Sequence, residues 1–318
     1  MKQKLTIFAA LCALFVLIFA SAPAVESAAW ALRLCGELLI PSLFPFFVLS
    51  GLLQRLGFPD LAGRRLAYIA RKLFGVSGAG ATALLLGLTG GYPLGAAYLA
   101  ELEEQGRIPS REAERLLGFC NNSGPAFLVG AIGAGVFGSS RLGLLLYGSH
   151  ALAAVFSGIL LRGRGSAAQD LPLSPKSPLP FSKALAESVR ASVPAVLNVC
   201  GFSVVFSVFT GVLDARGVID AAAGFLCSSV GMSPQAARAL LTGFLELGSG
   251  VAALRGLPAT PGNLALAAGL VGWGGLSVHF QTQAVLADSD AKTSLHLAGR
   301  LMSAAFGAAL AYGFGVLF

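Results

Sequence analysis

Gly118-Phe119-Cys120-Asn121-Asn122-Ser123-Gly124-Pro125 decides how this chain is read. Two side-chain amides and a hydroxyl, flanked by Gly and Pro, interrupt an apolar run from Leu116 to Phe137. Lipid offers no hydrogen bond to an amide or to a broken backbone, so such a stretch persists only where protein or a water-filled cavity surrounds it. Transporters build solute and ion sites from helices interrupted in this way. The octet therefore reads as part of a solute site inside a membrane, with Asn121, Asn122 and Ser123 as its polar groups.

The rest of the chain supports that setting. Of 318 residues, 55% are hydrophobic and only 12% are charged, against about 25% charged in soluble domains. Apolar runs of about 20 residues recur, the length of a membrane-spanning helix. The net charge of +7 is carried mostly by Lys and Arg between apolar runs, as the positive-inside rule requires; a nucleic-acid partner is not expected. The five cysteines are widely spaced in apolar context with no CxxC pair, and the three histidines show no metal-binding spacing, so neither a zinc site nor a disulfide framework is expected.

Outward from the octet, the chain breaks again and again. Lys2 and Lys4 precede an apolar run ending in Ala20-Ser21-Ala22-Pro23; the proline argues against signal cleavage, and residues 1–24 read as a first transmembrane helix with its N-terminus inside. Residues 31–53 carry Pro41 and Pro45, expected to kink or unwind the span. Residues 60–76 set Arg64, Arg65, Arg71 and Lys72 opposite Leu66, Ile69 and Leu73, the pattern of an amphipathic helix on a cytoplasmic surface. Gly87-Leu88-Thr89-Gly90-Gly91-Tyr92-Pro93-Leu94-Gly95 cannot sustain a regular helix and reads as a re-entrant hairpin, with Thr89 and Tyr92 placed to line a cavity. The charged stretch 101–115 reads as a solvated loop, with Ser110 as the cap of the next helix.

Residues 162–187, rich in Pro and Ser, read as a cytoplasmic linker between two gate-like repeats, 25–161 and 188–318. The second repeat holds Pro194 and Asn198 in its first span, a break at Leu245-Glu246-Leu247-Gly248-Ser249-Gly250, and another at Gly272-Trp273-Gly274-Gly275 followed by Ser277 and His279. Pro41 and Pro194, Gly87 and Gly243, and Gly118 and Gly269 recur at nearly one offset, which argues for an internal duplication. Residues 60–76 are basic, whereas 214–230 set Arg216 against Asp214 and Asp220. One stretch therefore belongs inside and the other outside, which makes the repeats inverted.

Glu246 is the only acid between Gly231 and Ala287. A carboxylate at bilayer depth costs several kcal/mol unless it is paired, protonated or ion-bound. It is read as a site for a coupling Na+ or H+ or for a substrate donor, or else as a structural partner of Ser249, His279 or an Arg. No other cofactor is expected. The fold class is thus an all-α polytopic membrane protein of two inverted repeats, each with a re-entrant hairpin and a broken transmembrane helix.

Three motifs carry a family resemblance: Pro41-Ser42-Leu43-Phe44-Pro45-Phe46, Gly91-Tyr92-Pro93-Leu94-Gly95-Ala96 and Phe119-Cys120-Asn121-Asn122-Ser123-Gly124-Pro125. Over most of residues 30–316 the chain resembles the sporulation integral membrane protein YlbJ family, in the nucleoside-recognition or gate-domain group, which is similar to concentrative nucleoside transporters. The resemblance implies movement of dipicolinic acid across the outer forespore membrane during endospore formation. The alternatives are a nucleoside-type transporter, in which amides would read base edges and Glu246 ribose hydroxyls, and a non-transporting scaffold for spore maturation. An intramembrane protease using Ser123 and His150 is the weakest rival, because a Ser/His pair gives the duplicated break no purpose. The expected partners are a small-molecule solute and the bilayer; a homo-oligomer is compatible with the sequence.

Overall fold

A computed structural model describes residues 2–163, 178–287 and 289–317. Residues 164–177 of the expected linker, with Arg164, Asp170 and Lys176, lie outside the described residues. The described chain is helical with no strand.

α1 (Lys2–Phe19) exposes Leu5, Phe8, Leu11 and Phe15. After Ala20, α2 (Ser21–Leu34) continues through a π-helical turn, Cys35–Leu39, into α3 (Ile40–Arg55). These three segments make one apolar rod of 35 residues, roughly 50 Å long at the helical rise. The second helix thus begins ten residues earlier than the expected segment at 31. Pro23 lies in its first turn, where a proline removes no needed donor. Nor do Pro41 and Pro45 unwind the rod: the backbone stays helical, and the wider π turn lies directly before Pro41.

A left-handed Gly57 turns the chain into α4 (Phe58–Phe74), whose face of Gly63, Ala67, Ala70 and Phe74 is buried. α4 meets α5 (Gly78–Gly90) at 91°. It thus lies crosswise to its neighbour with Arg64, Arg65, Tyr68 and Ile69 exposed, as an interfacial amphipathic helix would. Ser77 caps α5 through the Gly80 amide. The break expected across residues 87–95 is narrower, because α5 runs regularly to Gly90 and only Gly91-Tyr92-Pro93 is non-helical before α6 (Leu94–Glu104). The chain turns back there so tightly that Gly87 and Gly95 touch, and a Cβ on Gly87 would lie 1.7 Å from the Cys120 carbonyl oxygen.

α7 (Ser110–Cys120) follows, with Pro109 rather than Ser110 at its cap position. Its Glu112, expected in a solvated stretch, is buried and accepts from the Ser77 amide (2.7 Å) and hydroxyl (2.6 Å). Asn121 to Gly124 is irregular, Ala126–Val136 is π-helical, and α8 (Ser140–Leu160) completes this half.

The order of elements then recurs. α9 (Phe181–Ala215) is again a rod of 35 residues; a left-handed Gly217 leads to α10 (Val218–Val230); Ser233 caps α11 (Pro234–Leu245). Glu246 alone breaks the chain before α12 (Leu247–Ala253), and Gly243 touches Gly250 as Gly87 touches Gly95. α13 (Pro261–Trp273) and α14 (Gly275–Val285) are separated only by left-handed Gly274, and α15 (Ser294–Leu317) ends the described chain.

The two rods run antiparallel. Ser27 lies against Gly211, the Cys35 thiol faces the Cys200 carbonyl, and Gly51 lies against Ser188. Large apolar side chains such as Leu144, Phe156, Leu197, Phe209 and Leu301 point outward from the long helices. Among the described residues, five helices are long and apolar enough to cross a membrane, or six if the bent α4–α5 pair is one span.

Candidate functional site

Three cavities lie in order along the antiparallel rods. One of about 420 Å³ is lined by Pro23 to Arg33 of α2 and by Ser207 to Ala215 near the C-terminal end of α9. One of about 710 Å³ is lined by Phe47 to Gly57 and by Glu187 to Ala195 near the N-terminal end of α9. Between them, where Leu39 and Leu43 face Val199 and Ser203, is a small cavity of about 30 Å³, room for about two water molecules.

All four chain breaks reach this small cavity. Gly91 and Tyr92 come from the first hairpin, Ser123 and Gly124 from the octet, Glu246 to Gly248 from the second hairpin, and Ser277, Val278 and Gln281 from α14. A helical segment begins at or beside each of these groups of residues, and a helix N-terminus is a positive dipole end.

Glu246 occupies one of these ends. Its Oε1 accepts from Ser203 Oγ (3.0 Å) and the Gly248 amide (3.0 Å), and its Oε2 from the Ser249 amide (2.6 Å) and Ser249 Oγ (2.8 Å). Four donors, two per oxygen, fill the carboxylate, which caps α12. No Lys, Arg or His among the described residues forms an ion pair with it. Of the structural partners expected for it, Ser249 is present; His279 is not. The polar atoms around Glu246 are less well served. Ser277 Oγ and Gln281 Oε1 are buried without a hydrogen-bond partner, Tyr92 OH and Ser123 Oγ have only each other, and all four residues line the cavity. Buried polar groups are normally paired, and orphans mark a site that something else must satisfy.

The other expected residues serve the walls or fall away. Asn121 donates to Thr282 Oγ1 across the two halves (2.8 Å), and Asn122 closes its own turn onto the Phe119 carbonyl (2.7 Å). Thr89 is exposed and bonds back to Leu85 (2.9 Å), because α5 continues past it and turns it outward. Asn198 does not line the cavity: the inward phase of α9 is Val196, Val199, Ser203 and Ser207, and Asn198 is one residue out of step. His279 packs on Trp273, with ring centroids 4.3 Å apart, and on His296 at 5.1 Å. His150 Nε2 accepts the Ser123 amide (3.0 Å) instead of facing the Ser123 hydroxyl, so the nucleophile–base pair of a protease is not formed.

Arg300 on α15 is the charged group that the sequence did not single out. It is 1% exposed, and its guanidinium donates to the Gly272 carbonyl through Nε (2.7 Å) and Nη2 and to the Asn121 carbonyl through Nη1. These carbonyls end α7 and α13, the helices that precede two of the breaks. A tethered cation thus sits where two negative helix ends meet, and the cavity receives the opposite ends.

Long apolar helices, breaks buried in protein and a buried carboxylate at mid-rod define a polytopic α-helical membrane protein. No protein-family model matches the chain, and no solved structure matches it. It is 29% identical over 308 residues, 89% of this chain and 75% of the relative, to the sporulation integral membrane protein YlbJ of Bacillus subtilis (strain 168). That similarity supports membership of the YlbJ family.

Proposed function

We propose that this chain is a transporter of a small polar or anionic solute, and that the solute is dipicolinic acid moved across the outer forespore membrane during sporulation. The observation that carries the transport reading is the small central cavity, where buried Ser277 Oγ and Gln281 Oε1 have no hydrogen-bond partner, flanked along the rods by a larger cavity on either side. A site accessible in turn from two vestibules is what alternating access requires.

The anionic preference follows from dipoles. The N-terminal turns of residues 126–136 and of α14 border the cavity and favour negative charge, while Arg300 neutralises the C-terminal ends behind them. In this reading the repeats are inverted, the hairpins α5–α6 and α11–α12 enter the membrane and return, and the cavity expands as they separate. The sporulation context rests on the relative's name and on the family resemblance.

Uptake into proteoliposomes tests the proposal, with labelled dipicolinate compared with nucleosides under imposed sodium or proton gradients. Accumulation of dipicolinate in preference to nucleosides is expected. Preferential nucleoside accumulation would overturn the substrate, and accumulation of neither would overturn transport.

A further inference from the structure

The central carboxylate is connected to one vestibule and not to the other. Ser207 and Ser249 both line the 420 Å³ cavity at the C-terminal end of α9. Their hydroxyls meet at 3.2 Å, Ser249 Oγ lies 2.8 Å from Glu246 Oε2, and Glu246 Oε1 accepts from Ser203, which lines the central cavity. Toward the 710 Å³ cavity no comparable chain of hydroxyls is present among the described residues; Leu43, Phe47 and Leu94 stand there instead.

We propose that Glu246 is a proton-binding site loaded from the vestibule at the C-terminal end of α9 through Ser207 and Ser249. The proposal deepens the transport reading above, supplying a reason for a carboxylate in an anion site: ionised it repels an anionic solute, and protonated it does not. Each hydroxyl can both donate and accept, so the step balances. A hydronium ion in the vestibule gives a proton to Ser207 Oγ, Ser207 passes its own to Ser249 Oγ, and Ser249 passes its own to Glu246 Oε2. One O–H bond forms and one breaks at each hydroxyl, leaving water and a carboxylic acid.

A proton suits the geometry better than a metal cation, because both carboxylate oxygens are already filled by N–H and O–H donors. The titratable groups that feel the carboxylate are the Cys35 thiol of the π turn and the Tyr92 phenol of the first hairpin. The vestibule itself carries Glu26, Asp214 and Asp220 against Arg33 and Arg238.

The test needs no solute. The full chain in lipid nanodiscs is followed by infrared difference spectroscopy after a pH jump between about pH 9 and about pH 4, the range in which a buried carboxyl titrates. A carboxyl C=O band absent from Glu246→Gln is expected. Its rise should slow about tenfold or more in Ser249→Ala and Ser207→Ala, recover in Ser249→Thr, and stay unchanged in Ser192→Ala on the far vestibule. Ser249→Ala keeps the backbone amide on Oε2, so the cap of α12 survives. The proposal is overturned if no band depends on Glu246, or if the band rises at the wild-type rate in both alanine variants. Either result leaves the uptake assay to judge transport separately.

Discussion

The two hairpins turn the chain in different ways. The first turns through Gly91-Tyr92-Pro93 and presents a phenol with no charge; its glycine pair is pinned against the backbone of α7 at Cys120. The second turns at Glu246 alone, whose carboxylate caps the helix that follows, and its Gly243 faces the flexible side chain of Leu270. Both hairpins are closed by a glycine–glycine backbone contact, Gly87 on Gly95 and Gly243 on Gly250, and only the second adds a carboxylate that caps its following helix.

Substitutions at the glycines separate the two hairpins most sharply. In Gly87→Ala the new Cβ meets a backbone oxygen at 1.7 Å, so monodisperse protein should be lost in size-exclusion chromatography. In Gly243→Ala the nearest atom is Leu270 Cδ2 at 2.8 Å, a side chain that can shift. Overpacking there should cost about 1–3 kcal/mol, read as a lowered Tm with the protein still monodisperse. Equal behaviour of the two variants would break the comparison.

Arg300→Met should come next. It leaves the Asn121 and Gly272 carbonyls without their donors, and hydrogen bonds to charged groups contribute about 1.5–3 kcal/mol each. A large loss of thermal stability in detergent is expected, with Arg300→Lys recovering part of it.

Glu246→Gln keeps size and most donors' partners but removes the charge, so a smaller drop in Tm is expected together with loss of pH-dependent uptake. Glu246→Ala removes the cap as well, costing about 0.5–2 kcal/mol more. Tyr92→Phe deletes only a hydroxyl whose one neighbour is Ser123. It should leave Tm near wild type and weaken solute binding about tenfold if that hydroxyl meets the solute, a change of about 1.4 kcal/mol.

What could be read from sequence, and what could not, follows from how each residue stands out against its neighbours. Glu246 is an acid alone in an apolar stretch, and the octet is polar among Leu, Phe and Ala, so both show as anomalies of composition. The glycine and proline spacing pointed to a repeat, and the helix order of long rod, shorter helix and helices parted by short breaks recurs in the two halves. Arg300 and Glu112 were hidden because each lies near other charges, Lys292 and His296 in one case and Glu114 and Arg115 in the other. Only packing distinguishes a buried member of such a group from a solvated one. Thr89 and Asn198 fail for a rotational reason: they are near the breaks in sequence, but their helices stay regular and a one-residue difference in phase turns a side chain by about 100°.

The central claim is that solute occupies the small cavity between the breaks. In a chain with its five native cysteines replaced, Ser277→Cys places a thiol in that cavity and Thr89→Cys places one outside it. Dipicolinate should slow labelling of the first by a small thiol reagent, in a concentration-dependent way, and leave the second unchanged. Labelling of the cavity thiol at the same rate with and without dipicolinate would contradict the account.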